Sequence, residues 1–318
     1  MSVAGSLFLT GLGGFAHKYD HTQVYQPHPN LHYPIRQYGS HVIKAEILET
    51  SELISELILN FLPEFFTNHP FIYPFKGLLE LFRNRSVYSH ISVGIVTTYL
   101  FSFAIVLFVY WFSIAPVYFS LMAVFGPLGF IIAGLQCVLQ ANLLTMLFMR
   151  TSFMFNGLVP LCLKFYKGDS KKTLLSFHDA IKYYVPVRSA YFWLIHLPFK
   201  GFKYLLGLLI LVLLLGISSI PVLGPFLFHL STSSVLTRIY SSKFLRMNGT
   251  STKERSTLFY KHFGFYTSFG MVAGLLETVP ILSGFCLCSN VIGATLWHID
   301  REPMAPVEAT VPLEAQVI

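Results

Sequence analysis

The stretch Ile91–Met149, ISVGIVTTYLFSFAIVLFVYWFSIAPVYFSLMAVFGPLGFIIAGLQCVLQANLLTMLFM, decides the fold of this chain. It runs for 59 residues without a single Asp, Glu, Lys or Arg. Roughly 20 apolar residues cross a bilayer as a helix, so the stretch is long enough for two helices. Pro116 and the segment 125–129 break it, which predicts spanning helices over Ile91–Ala115 and Leu128–Met149. We therefore expect an integral membrane protein.

The composition of the whole chain supports the same class. Hydrophobic residues make up 54% of the chain and charged residues only 12%. A soluble domain carries roughly 25% charged residues, so lipid is expected to replace water over much of this surface. The four cysteines do not make a disulfide framework; three of them lie in apolar runs, and we expect all four to be small buried side chains.

Two segments precede the first apolar run. Residues 1–41 are expected to form a polar N-terminal tail, since the histidine spacing in it matches no metal site. Residues 42–90 are expected to form amphipathic interfacial helices: Val42–Phe61, ended near Pro63, and Pro70–Arg83. The first has an acidic polar face, so lying on a membrane surface and packing on the protein itself are both open.

Residues 150–203 are strongly basic, with nine Lys or Arg against two Asp, and aromatic residues are interleaved. This composition is typical of a membrane–water interface, and a surface helix is predicted over Leu174–Val185. Nucleic-acid binding, the other use of such a pattern, is not expected in a membrane protein.

Two further apolar runs follow, at residues 204–237 and 262–299. Pro221 and Gly224 interrupt the second run and Pro280 the third, so that the predicted arms are too short to cross a hydrocarbon core of roughly 30 Å. Each run is therefore expected to form a short helical hairpin that dips into the membrane. Pro221-Val222-Leu223-Gly224 and Pro280-Ile281-Leu282-Ser283 stand at equivalent turns, which indicates an internal repeat.

The predicted fold is thus an all-α integral membrane protein with one full-length transmembrane helix pair, two short helical hairpins and amphipathic interfacial helices. The membrane domain covers residues 91–299, and 300–318 form a disordered acidic tail. Lys and Arg lie only in the flanks of the three runs, never at a turn, which puts all flanks on the cytosolic side. The apolar turns suit a protein that can live in a phospholipid monolayer over neutral lipid, provided other groups satisfy their backbone.

Glu277 is the single charge in the third run, and an intramembrane carboxylate is a functional candidate for a proton or ion path. The alternative is a turn residue that reaches headgroups or bonds the backbone NH groups freed by Pro280, and we favour it. His229 is expected to be a core histidine, and the thiols of Cys286 and Cys288 are expected to point apart.

The chain contains no Gly-x-Ser-x-Gly, phosphate loop or dinucleotide fingerprint. We therefore expect no enzyme activity, no cofactor and no metal.

The third run carries a family resemblance. It reads Phe269-Gly270 to Leu276-Glu277-Thr278-Val279-Pro280, continues through Asn290-Val291-Ile292-Gly293-Ala294 and Leu296-Trp297, and resembles the fungal outer-spore-wall and lipid-droplet membrane protein family. The motif around Pro221 is similar to the wider CysZ-like (etoposide-induced-protein-like) superfamily, which implies short hemi-penetrating hairpins beside full-length helices.

The resemblance implies a non-enzymatic membrane protein of lipid droplets or the endoplasmic reticulum, or of the prospore membrane or spore wall, that contributes to spore wall assembly. Its partner would be membrane lipid or a lipid-droplet monolayer, and a homo-oligomer is possible. The alternative is a CysZ-like anion (sulfate) transporter or channel, thinly lined by Gln136, Gln140, Asn142 and Thr145. The candidate functional or packing residues are Glu277, Pro280, Asn290, Gly293, Trp297, Pro221, Gly224, Gln136 and Gln140.

Overall fold

A computed structural model of the chain describes residues 25–27, 34–67, 69–167, 182–184, 189–248, 250 and 252–301. The described part is helical except for one short parallel strand pair, β1 (Tyr25–Pro27) with β2 (Lys182–Tyr184), in which Tyr25 stands opposite Lys182. The helices are α1 (Ile35–Phe66), α2 (Tyr73–Arg83), α3 (Arg85–Ser113), α4 (Ala115–Met122), α5 (Gly126–Ser152), α6 (Leu158–Lys167), α7 (Leu197–Ser218), α8 (Leu223–Met247), α9 (Thr252–Lys261), α10 (Phe263–Glu277) and α11 (Ser283–Arg301).

Three helical segments are long and apolar enough to cross a membrane: Arg85–Ser113, Ala115–Ser152 and Phe192–Ser218. The first is α3, the second joins α4 to α5, and the third adds a π-helical turn at Phe192–His196 to α7. The predictions of an all-helical fold and of membrane-spanning helices are confirmed at this level.

The second apolar run differs from its prediction. We expected arms of 204–220 and 226–237, whereas α7 begins at Leu197 and α8 continues to Met247. Lys and Arg have good helix propensity, so the end of a charge-free run does not end a helix. The prediction that both arms of this run are too short to span is therefore wrong for α7 as judged by length and composition.

The N-terminal boundaries also shift. α1 starts at Ile35, inside the predicted polar tail, and continues through Pro63 to Phe66. α3 starts at Arg85 and not at Ile91. Charged residues are compatible with a helix, so the helix can begin before the charge-free run does. Most of Leu174–Val185, most of the N-terminal tail 1–41 and nearly all of the acidic tail 300–318 lie outside the described residues, but Lys182–Tyr184 is a strand and not a helix.

Glycines set the closest helix contacts. A Cβ on Gly77 of α2 would lie 2.1 Å from the Ser289 carbonyl oxygen, and one on Gly293 of α11 would lie 2.3 Å from that of Tyr73. A Cβ on Gly270 of α10 would lie 1.8 Å from the Ser233 carbonyl oxygen of α8. Small residues let helix backbones touch, which is the usual way of packing helices where lipid removes the hydrophobic driving force.

The apolar surface of the described structure faces outward. Side chains such as Phe101, Phe108 and Leu213 on α3 and α7 are more than half exposed. The turn that joins α3 to α5 is equally apolar, and Val124 at its tip is 87% exposed. An exposed apolar belt of this extent suits lipid as the surrounding medium.

Candidate functional site

The described residues with the greatest density of buried polar contacts surround Glu277, the last residue of α10. Its side chain is 0% exposed. The Arg150 guanidinium donates to Oε2, and the Tyr240 hydroxyl donates to Oε1. Asn290 Nδ2 donates to the same Oε1 at 2.5 Å. The carboxylate is thus bonded from three other helices, α5, α8 and α11.

Each partner of Glu277 sits where its helix passes the end of α10. Arg150 lies in the last turn of α5 and is only 5% exposed. Asn290 is held by a second bond from Nδ2 to the Ala273 carbonyl at 3.1 Å, one turn back along α10. A buried ion pair is costly unless further hydrogen bonds satisfy its atoms, and Tyr240 and Asn290 supply them for the carboxylate, whereas Nε of Arg150 has no partner among the described residues.

This geometry corrects two expectations. Glu277 neither reaches headgroups nor bonds backbone NH groups freed by Pro280, because a cation and two neutral donors occupy both carboxylate oxygens. Arg150 does not belong to the basic interfacial segment in which we placed it. One signal pointed to the pair: Arg150 ends the longest charge-free run and Glu277 is the only charge in another, so their charges complement each other.

The turn after Glu277 is satisfied by an amide side chain of α5. We call residues 277–282 the Pro280 turn. Asn142 Nδ2 donates to the Glu277 carbonyl at 2.9 Å and to the Thr278 carbonyl at 3.3 Å. The Tyr99 hydroxyl of α3 donates to Asn142 Oδ1 at 2.8 Å, which fixes the orientation of the amide.

The turn between α7 and α8, residues 218–222, is held in the same manner, and we call it the Pro221 turn. Gln136 Nε2 and Gln140 Nε2 of α5 donate to the Ser218 carbonyl at 3.0 and 2.8 Å. Gln136 Oε1 accepts the Val222 NH at 2.8 Å, and the Tyr110 hydroxyl donates to Gln140 Oε1. At both turns, therefore, an amide of α5 binds the backbone and a tyrosine of α3 donates to an amide of α5.

The two turns share a backbone conformation as well. Val222 and Ile281, each directly after the proline, have φ of 63° and 70°. The Leu223 NH bonds the Pro221 carbonyl at 2.7 Å, and the Leu282 NH bonds the Pro280 carbonyl at 2.8 Å. These are γ-turns with a positive φ, a rare and strained type. The repeat seen in the sequence is therefore present in the backbone, with each residue matched 59 positions later.

The Pro280 turn reaches only halfway along the long helices. Tyr99 lies 14 residues from either end of α3, about 21 Å at 1.5 Å per residue. Asn142 lies 16 residues after the start of α5, about 24 Å. The turn that these two residues bind thus ends beside the middle of α3 and α5.

The remaining candidates have packing roles in the described structure. A Cβ on Gly224 would lie 2.4 Å from the Ser218 carbonyl oxygen, so only glycine fits in the first turn of α8, beside the Pro221 turn. Trp297 packs against Phe269 at 6.0 Å and Tyr266 at 5.4 Å between ring centroids. His229 is buried against Gly274, as expected of a core histidine. Within the described ranges no group of His, Cys, Asp or Glu side chains could hold a metal ion.

Comparison with known proteins gives three relatives, all from Saccharomyces cerevisiae. Outer spore wall protein LDS1 is 43% identical over 318 residues, which cover 99% of this chain and 97% of the relative. Outer spore wall protein RRT8 is 28% identical over 83% of this chain and 81% of its own length. Outer spore wall protein LDS2 is 27% identical over 84 residues, which cover 26% of this chain and 24% of that protein.

No family model and no solved structure matches the chain. The relation to a wider CysZ-like superfamily therefore stays an expectation from the sequence.

Proposed function

Because the chain belongs to the family of outer spore wall proteins, we propose that it is a non-enzymatic membrane protein that contributes to the assembly of a fungal spore wall. The support for the process is the identity of 43% over nearly the full length of a protein named for the outer spore wall. The support for membrane residence is the set of three helical segments long and apolar enough to span.

The observation that supports the mode of membrane insertion is the satisfaction of both turns by side chains of α5. Backbone groups inside hydrocarbon must be bonded by the protein, since lipid tails cannot bond them. Asn142 bonds the Pro280 turn, and Gln136 and Gln140 bond the Pro221 turn. We propose that the Pro280 turn ends within the hydrocarbon region and that α10–α11 enter and leave on the same side.

A hairpin that enters and leaves on the same side can occupy a monolayer as well as a bilayer. The exposed side chains at the turn tips are apolar, including Leu223, Ile281 and Leu282. All 22 Lys and Arg residues lie away from these tips. We propose that the protein resides in the endoplasmic reticulum and in the phospholipid monolayer of lipid droplets, with its basic flanks toward the cytosol.

The transporter alternative draws no support from the polar residues that suggested it. Gln136 and Gln140 are buried, and their amides are bonded to the backbone of the Pro221 turn instead of lining a path. Glu277 is closed off by Arg150, Tyr240 and Asn290. The lining of a pore presents polar groups to water, whereas these side chains form hydrogen bonds with other groups of the protein.

The proposed role is tested by complementation. Saccharomyces cerevisiae lacking outer spore wall protein LDS1 is transformed with this chain, and sporulated cells are assayed for spore wall permeability. Restored impermeability supports the proposal, and failure of a stably expressed chain to restore it argues against a shared role. Buoyant-density fractionation after lipid loading tests the proposed residence in lipid droplets. We expect the protein to float with neutral lipid, and its retention wholly in bilayer membranes would contradict residence in droplets.

A further inference from the structure

A groove on the membrane-facing surface is not accounted for by the role proposed above. It has a volume of about 420 Å³ and lies between α2, α3 and the start of α11. Pockets of 300–1,000 Å³ typically hold small molecules. Leu81, Ser92 and Val96 form its floor and are buried, while Phe82, Val93 and Phe285 form exposed walls.

The buried floor of the groove is apolar apart from Ser92, whereas the less buried residues Ser89 and Thr97 add hydroxyl groups to its lining. The one hydroxyl on its floor, Ser92 Oγ, already donates to the Tyr88 carbonyl at 2.5 Å, so it offers no free donor to a ligand. An occupant of the floor must therefore be a hydrocarbon.

One end of the groove carries a positive charge. Arg85 is the first residue of α3, is exposed, and lines the groove. Among the ion pairs of the described residues, none includes Arg85. A guanidinium binds phosphate through two parallel N–H donors, and it is the usual residue for that recognition.

The length of the groove matches the thickness of the hydrocarbon region of one leaflet. The helix rises about 18 Å from Arg85 to Thr97, the last residue of α3 in the groove. Half a hydrocarbon core is about 15 Å. Phe285, which closes the deep end, follows the Pro280 turn beside the middle of α3. The groove therefore extends from the depth of the headgroups to the depth at which an acyl chain ends.

We propose that this groove binds one acyl chain of an anionic phospholipid, with the phosphate bound by Arg85. The acyl chain covers the floor of Leu81, Ser92 and Val96, and the charged headgroup distinguishes this lipid from a neutral one. The protein thus carries a specific lipid site in addition to its general apolar surface.

The test uses the full-length protein reconstituted in phosphatidylcholine vesicles that contain phosphatidic acid with a diazirine halfway along one acyl chain. After illumination, mass spectrometry locates the labelled peptides. Labelling is expected to concentrate on the groove side of α3 and on Phe285. Val93→Trp fills the groove, whereas Val109→Trp places the same bulk at another exposed position of α3. Only the former is expected to lower the yield at the groove.

The charge is tested with Arg85→Glu against Arg83→Glu, a neighbouring exposed arginine that does not line the groove. Arg85→Glu is expected to lower the labelling by phosphatidic acid roughly threefold or more, the effect of one interfacial ion pair, and Arg83→Glu to leave it unchanged. A phosphatidylcholine probe with the same diazirine has a phosphate whose charge is balanced by choline, so it is expected to label the groove less and to lose less of that labelling in Arg85→Glu.

Two results would overturn the proposal. The first is uniform labelling of all exposed α3 positions, unchanged by Val93→Trp and by Arg85→Glu. Such labelling would mean that the helix contacts only bulk lipid. The second is absence of groove labelling together with disulfide-linked dimers of Val93→Cys, which would assign the groove to a second copy of the chain.

Discussion

Arg150 and Glu277 form an ion pair that joins the end of α5 to the end of α10 at a point where both side chains are at most 5% exposed. Two residues 127 positions apart thereby fix the last hairpin against the first helix pair. The pair is buried between the apolar runs, so its removal has consequences that can be measured.

Glu277→Gln should destabilise the fold strongly. The substitution keeps the shape of the side chain and leaves the Arg150 guanidinium buried without a counter-charge, a change that costs about 3–5 kcal/mol when one partner of a buried pair is removed. Thermal unfolding in detergent would detect it as a lower midpoint.

The double variant Arg150→Met with Glu277→Gln makes it possible to measure the interaction between the two side chains apart from their other contacts. No buried charge remains, so the double variant should be more stable than Glu277→Gln alone, and the double-mutant cycle should give a coupling above about 1 kcal/mol. Additive effects would mean that the two side chains do not interact.

Asn142→Leu should loosen the Pro280 turn. The Glu277 carbonyl would lose its bond from Asn142, and the Tyr99 hydroxyl would lose its acceptor. Hydrogen bonds between membrane helices contribute about 0.6–2 kcal/mol each, so the loss of these two bonds is expected to cost about 1–4 kcal/mol. Thr98→Val on α3 is the matched control: its hydroxyl bonds only the Gly94 carbonyl of its own helix, and its removal should change stability little.

Gly293→Ala should separate α2 from α11. The new Cβ would lie 2.3 Å from the Tyr73 carbonyl oxygen, and because that atom is backbone, the helices themselves must move. Overpacking of this kind typically costs about 1–3 kcal/mol. Gly134→Ala on α5 meets nothing within 4 Å and should be neutral or slightly stabilising. Equal effects of the two substitutions would contradict the close helix contact.

Ile281→Gly should raise stability. A left-handed conformation costs roughly 1–2 kcal/mol for a residue with a Cβ, and Ile281 holds a φ of 70° with its side chain 63% exposed. Glycine removes that strain and loses little packing. Leu282→Gly, also at an exposed tip position, has no positive φ to relieve and should lower stability. Chemical unfolding of both variants provides the comparison.

The sequence predicted the elements that depend on local pattern. Charge-free runs gave the membrane helices, and the matching prolines, Pro221 and Pro280, gave two equivalent turns. The ends of α1 and α7 were missed because Pro63 and the lysines near residue 200 were treated as boundaries, although a helix can continue through both. Such ends are decided by packing and by neighbouring helices, which a single segment does not contain.

The candidate site was predicted only in part. Glu277, Asn290, Gln136 and Gln140 were all singled out, but the contact between Glu277 and Asn290 was not predicted, nor were the other partners of these residues. Arg150 was hidden among basic residues of a different segment, and Tyr99, Tyr110 and Tyr240 looked like ordinary aromatics of an apolar helix. Each contact joins residues that lie at least 13 positions apart, most of them far more, so it follows from the tertiary arrangement and not from spacing.

The most direct test of the account is the accessibility of the Pro280 turn in intact membranes. Because the four native cysteines are buried, a single new thiol can be followed with a membrane-impermeant maleimide. Ile281→Cys places it at the turn, and Glu254→Cys on α9 marks the basic flank. We predict that residue 254 is labelled from the cytosolic side and that residue 281 is labelled from neither side until detergent is added. Labelling of residue 281 from the side opposite to residue 254 would contradict a turn that ends within the membrane.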